Sequence, residues 1–154
     1  LEILKDPRCG AFAVIRLCTY FLAYFCVAFC IRFSPRVGLC WTLALVLERG
    51  LSGLAVAAFP MAKNTGLAHT FATAADRESV QKILIVLSVL LAAALIALGG
   101  GALVAAALLV LWRYHHVAVK EFGGITGDLA GWFLQKAEFW MLAALAASQW
   151  GGIL

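Results

Sequence analysis

The sequence predicts an all-α integral membrane protein, a polytopic bundle of about five transmembrane helices. Three observations lead there. Of 154 residues, 64% are hydrophobic and 13% charged, whereas a soluble domain is about half apolar and about a quarter charged. The mean hydropathy is +0.98. The apolar residues also gather in runs close to the length of about 20 that crosses a bilayer. Such a composition excludes an ordinary soluble enzyme, a disordered tail and a nucleic-acid module, and residues 1–154 read as a single transmembrane domain. Twelve Lys and Arg against eight Asp and Glu give a net charge of +4. The basic residues are dispersed, so they bear on orientation in the membrane more than on an anionic partner.

The first span is expected at 11–31, interrupted by Arg16, which lies about 9 Å deep and can snorkel. A polar turn from Arg32 to Arg36 contains Pro35, and a second span at 37–59 carries Glu48 and Arg49 before Pro60 closes it. Asp76 to Ser79 resembles a helix start. The apolar run Ile83–Trp112 would be about 45 Å long as one helix, against roughly 30 Å of hydrocarbon. Gly99-Gly100-Gly101 at its centre suits a tight turn, so two spans are expected, at 83–98 and 102–119. The last span is expected at 129–150, with Trp132 and Trp150 as interfacial anchors. Cys9, Cys18, Cys26, Cys30 and Cys40 form no CxxC pair, and those inside apolar runs read as small hydrophobes.

Five spans place segments 1–10, 60–82 and 113–128 on one side. That side carries Lys5, Arg8, Lys63, Arg77, Lys82, Arg113 and Lys120, while the other carries Arg32 and Arg36. The positive-inside rule makes the first side cytoplasmic. Two of its segments combine glycine, a carboxylate and cations at a helix start: Lys5-Asp6-Pro7-Arg8-Cys9-Gly10 and Phe122-Gly123-Gly124-Ile125-Thr126-Gly127-Asp128. Glycines admit a phosphate to the backbone amides, and the helix dipole favours an anion there. A carboxylate so placed can instead hold Mg²⁺ together with substrate phosphates. On the residues alone, the simpler reading is that Asp128 and Thr126 cap the last helix.

The stretch from Leu1 to Gly10, with Glu2, Lys5, Asp6, Arg8 and Gly10, resembles an E-x-x-[KR]-D-[SP]-R-x-G pattern. Gly123-Gly124-Ile125-Thr126-Gly127-Asp128, followed by Gly131 and Glu138, resembles GG-x-TGD-x-x-G…E. Between them, Arg49, Pro60, Ala62-Lys63 and Gly66-Leu67 match a looser R…P-x-[AC]-[KR]-x-x-G-[LM] pattern. In this order and spacing the chain resembles the C-terminal part of the cobalamin synthase family, the adenosylcobinamide-GDP ribazoletransferases. That family's first acidic motif lies upstream of the residues matched here. Pro7 stands where many members have Ser, and Ala130 where many have Leu.

The resemblance implies a Mg²⁺-dependent phosphoryl transfer at the cytoplasmic face of the cell inner membrane. α-Ribazole or its 5′-phosphate joins adenosylcobinamide-GDP, and GMP leaves. It implies Asp128 and Asp6 as catalytic and metal-binding carboxylates. Arg8, Lys63 and Lys120 would contact phosphate, and Gly123, Gly124, Thr126 and Gly127 would form a backbone cradle. The implied partners are these small molecules and the lipid bilayer, with no nucleic acid; a homo-oligomer is compatible with it. With essential acids placed upstream of Leu1, the chain alone is expected to insert into membranes without transferring ribazole.

Other polar residues have plainer readings. His115 and His116 lack the i, i+4 spacing of a two-histidine metal site and read as interfacial. Tyr20, Tyr24 and the phenylalanines around them read as lipid-facing or packing residues. Arg49 and Glu138 are both expected about 15 Å below the cytoplasmic face, where unpaired charge is costly, so they are expected to pair. The competing functions are a small transporter or channel subunit using Glu48, Arg49 and Glu138, or another membrane phosphotransferase. The DGxxAR-type motif of CDP-alcohol enzymes is absent from the sequence.

Overall fold

The computed structural model describes residues 10–62 and 77–154. Five helices account for nearly all of them: α1 (Ala11–Phe29), α2 (Pro35–Ala58), α3 (Arg77–Ala97), α4 (Gly101–Phe122) and α5 (Gly127–Trp150). The boundaries have local causes. Ser34 caps α2, its side chain accepting from the Val37 amide, and Pro35 opens the helix where its missing N–H costs nothing. Gly99 turns the chain at φ 87°, and the Gly100 amide donates to the Leu95 carbonyl at 2.7 Å. The long apolar run is thereby divided into α3 and α4. Upstream, α3 extends to Arg77, beyond the expected start at 83, with Glu78 in its first turn and bonded to Lys82 at 2.8 Å.

α1 to α4 are each long and apolar enough to cross a membrane. α5 is not among them, because Gln135, Lys136 and Glu138 interrupt its apolar sequence. It is nonetheless the central packing element, lying against α4, α2 and α1. The fifth span expected at 129–150 is thus a helix sheltered by protein rather than one whose composition alone would seat it in lipid.

α4 and α5 form an antiparallel hairpin in which the Tyr114 and Phe133 rings stack at 5.2 Å. α2 runs antiparallel to α3, with Gly50 against Ser88 and Gly53 against Leu84. Alanines at 44, 55, 107, 118 and 137 are fully buried or nearly so, which lets these helices approach closely. α1 has no buried residue. It runs parallel to α5, to which Tyr20, Tyr24 and the Arg32 amide are tied in step, at Gln135, Glu138 and Gln149. Gly10 therefore lies at the same end of the bundle as the start of α5.

Candidate functional site

At that end, α4 stops because Gly123 adopts the left-handed conformation, φ 71°, with its amide donating to the Val119 carbonyl. The Gly124 amide donates to the Ala118 carbonyl at 2.9 Å. The chain then crosses the segment following α2. The Ile125 amide donates to the Pro60 carbonyl at 2.8 Å, and the Ala62 amide to the Ile125 carbonyl at 3.0 Å, a short parallel bridge between Met61 and Ile125. The contact is so close that a Cβ on Gly124 would lie 2.6 Å from the Pro60 oxygen, the Met61 carbonyl carbon and the Ala62 nitrogen. The Ile125 side chain, 1% exposed, anchors the crossing in the core. Thr126 then caps α5, its hydroxyl accepting from the Leu129 amide at 3.3 Å. Asp128 is exposed in the first turn of α5, and Lys120 in the last turn of α4.

This geometry revises the expected cradle. The amides of Gly123 and Gly124 are consumed by the cap of α4, and the open face of Gly124 is filled by the Pro60–Ala62 backbone. The Thr126 hydroxyl is committed to its cap. The first helical amides of α5, those of Gly127 and Asp128, have no intrahelical acceptor and no other partner among the described residues. Gly123 and Gly127 face open space. Asp128 does not cap the helix; Thr126 alone does so. Asp6, Arg8 and Lys63 lie outside the described residues.

The expected Arg49–Glu138 pair is not formed. Arg49 Nε lies 3.4 Å from Glu48 Oε1, with Glu48 fully buried and the Arg49 side chain 62% exposed. Glu138 instead accepts from the Tyr24 hydroxyl at 2.8 Å. Azimuth decides the pairing: α1 supplies its tyrosines to the polar face of α5, and Arg49 points outward from α2. Adjacent residues do not share a helix face, yet the long, flexible arginine reaches back to its neighbour. The signal that could have found Tyr20 and Tyr24 is their i, i+4 spacing, which puts two hydroxyls on one stripe of α1. His115 packs edge-on to Phe59 and His116 stacks on Trp112.

The profile of the cobalamin-5-phosphate synthase family matches residues 1–146. The chain belongs to that family. Curated relatives of the chain carry the name adenosylcobinamide-GDP ribazoletransferase. One from Lachnoclostridium phytofermentans is 39% identical over 149 residues, 95% of this chain and 56% of the relative. A Geobacillus protein is 32% identical over 91% of the chain and 55% of its own length. A Pseudomonas syringae pv. tomato protein is 30% identical over 95% and 59%. The chain therefore spans a little over half the length of the curated relatives it matches. No solved structure matches it.

Proposed function

We propose that this chain forms the phosphate-handling end of a membrane transferase that joins α-ribazole, or its 5′-phosphate, to adenosylcobinamide-GDP with release of GMP. The observation that carries this reading is the backbone crossing of Gly124–Ile125 over Pro60–Ala62. The crossing itself uses no side chain, and Asp128, Lys120 and the start of α5 remain exposed at this end of the bundle. Phosphoryl transfer asks a protein chiefly for positioning and charge stabilisation, and a helix start with two unpartnered amides suits a phosphate oxygen. Lys120 would neutralise charge developing toward the leaving GMP.

Mg²⁺ fits this donor set. Among the described residues no three His, Cys, Asp or Glu side chains gather, and Mg²⁺ is commonly held by one or two carboxylates, waters and substrate phosphates. Asp128 would supply one carboxylate, and Asp6, by sequence, the second. When bound, the ion would polarise the pyrophosphate. The excess of basic residues in the segments that the sequence places on this side supports a cytoplasmic orientation.

The test is a chimera in which this segment replaces the matching part of the Lachnoclostridium phytofermentans relative, assayed for GMP release from adenosylcobinamide-GDP. Asp128→Asn should lower kcat by about 10²–10³-fold with membrane insertion and yield unchanged. A variant keeping more than about a tenth of the parent rate would remove Asp128 from the site.

A further inference from the structure

A cavity of about 560 Å³ opens on the outer surface of the α4–α5 hairpin, away from the end described above. Its walls follow from helical spacing. Leu109, Val110 and Arg113 lie on one face of α4, and Trp132, Lys136 and Trp140 recur every four residues on α5. Arg113 precedes the end of α4 by nine residues and Lys136 follows the start of α5 by nine, so the two cations stand at one level. That level is about 14 Å from the hairpin turn. Beyond it, α4 becomes polar, from Arg113 through His115 and His116 to Lys120 and Glu121. The hydrocarbon boundary therefore falls close to Trp112 and Arg113, and the indoles beside the cavity match an interfacial belt.

The two cations are left without a partner within the bundle that the described residues form. Neither has an ion pair or hydrogen bond among the described residues, and no acidic side chain lines the cavity. Leu109 is 66% exposed and Trp140 54%, so the walls are open at the surface of the bundle. We propose that this cavity binds the headgroup phosphate of an anionic phospholipid, with Arg113 and Lys136 on the phosphate and an acyl chain along Leu109 and Val110. A zwitterionic headgroup carries its own cation, which the Arg113–Lys136 pair would repel; an anionic one is favoured. The wall is apolar below the cations and aromatic beside them, as an amphiphile requires and a free anion does not. Asp128 does not line the cavity, and the inference does not rest on the transferase reading.

The test uses the chain in phosphatidylcholine vesicles containing a fixed minor fraction of brominated phosphatidylglycerol or, in parallel, brominated phosphatidylcholine. Trp41, Trp112 and Trp150 are replaced by Phe, so that Trp132 and Trp140 report. The anionic brominated lipid should quench more strongly. That preference should weaken roughly fivefold for Arg113→Gln and again for Lys136→Gln, and persist in Arg16→Gln, which removes a cation elsewhere. Equal quenching by the two lipids, or an equal loss in Arg16→Gln, would overturn the proposal. Should the triple Phe variant fail to fold, native mass spectrometry of the chain with all its tryptophans gives the same decision. Phosphatidylglycerol retained by the parent and lost from the Arg113→Gln/Lys136→Gln variant supports the site; no retention by the parent, or retention by both, rejects it.

Discussion

The two ends of the bundle are built by different means. At the end holding the 98–100 turn, side chains do the fastening. Arg36 donates through Nε and a terminal nitrogen to the Leu98 carbonyl, at 3.0 and 2.7 Å, and Gln149 exchanges hydrogen bonds with both backbone groups of Arg32. At the end holding Asp128, the crossing of Pro60–Ala62 and Gly124–Ile125 is made backbone to backbone. Arg77 and Gln81 close the α2 terminus alongside, through the carbonyls of Ala57 and Phe59. At the first end the fastening commits the Arg36 guanidinium to the Leu98 carbonyl; at the second Arg77 is committed to the end of α2, while the crossing itself uses backbone alone. That crossing leaves Asp128 and Lys120 available, at the expense of a position that only glycine can fill.

The comparison breaks first at that glycine. Gly124→Ala forces a Cβ into three backbone atoms at φ 154°, and should cost about 2–4 kcal/mol, read as a lowered unfolding midpoint in detergent. Gly99→Ala, at φ +87° on the other end, meets first the Arg36 guanidinium, which can move aside; about 1–2 kcal/mol is expected. If the two substitutions cost the same, the ends do not differ as described. Arg36→Met should lose about 1–2 kcal/mol through its bonds to Leu98, whereas Asp128→Asn should leave the midpoint unchanged. Thr126→Ala removes the α5 cap, with an expected loss of about 1 kcal/mol. The smallest effect belongs to Gly127→Ala. With nothing within 4 Å of its Cβ, stability should stay within about 0.5 kcal/mol, and a larger loss would mean that the start of α5 is more confined than its geometry implies.

Much of this was legible in the sequence. The division of Ile83–Trp112 followed from three glycines and a length too great for one crossing. Thr126 was one of two capping residues the sequence offered for a last helix expected from 129, and it caps a helix that starts at Gly127; the family followed from the Gly123–Asp128 motif with its partners at Arg49, Pro60 and Ala62. Two expectations failed for a common reason. Gly123 and Gly124 read as a phosphate cradle because a glycine pair admits a ligand and a neighbouring chain equally well, and here the neighbour is Met61. Arg49 and Glu138 read as a pair because depth along a helix can be counted in residues, whereas rotation about its axis relative to a neighbour cannot.

By itself, then, the sequence determined the helical, membrane-embedded class, the breaks between helices and the acid-and-glycine turn, since each depends on composition or on residues close together in the chain. Tertiary structure alone decided which groups meet: Tyr24 with Glu138, Arg36 with Leu98 and Gly124 with Pro60–Ala62. Those meetings depend on helix packing over long separations, where small alanine-lined interfaces set the rotation of each helix and no local pattern records it.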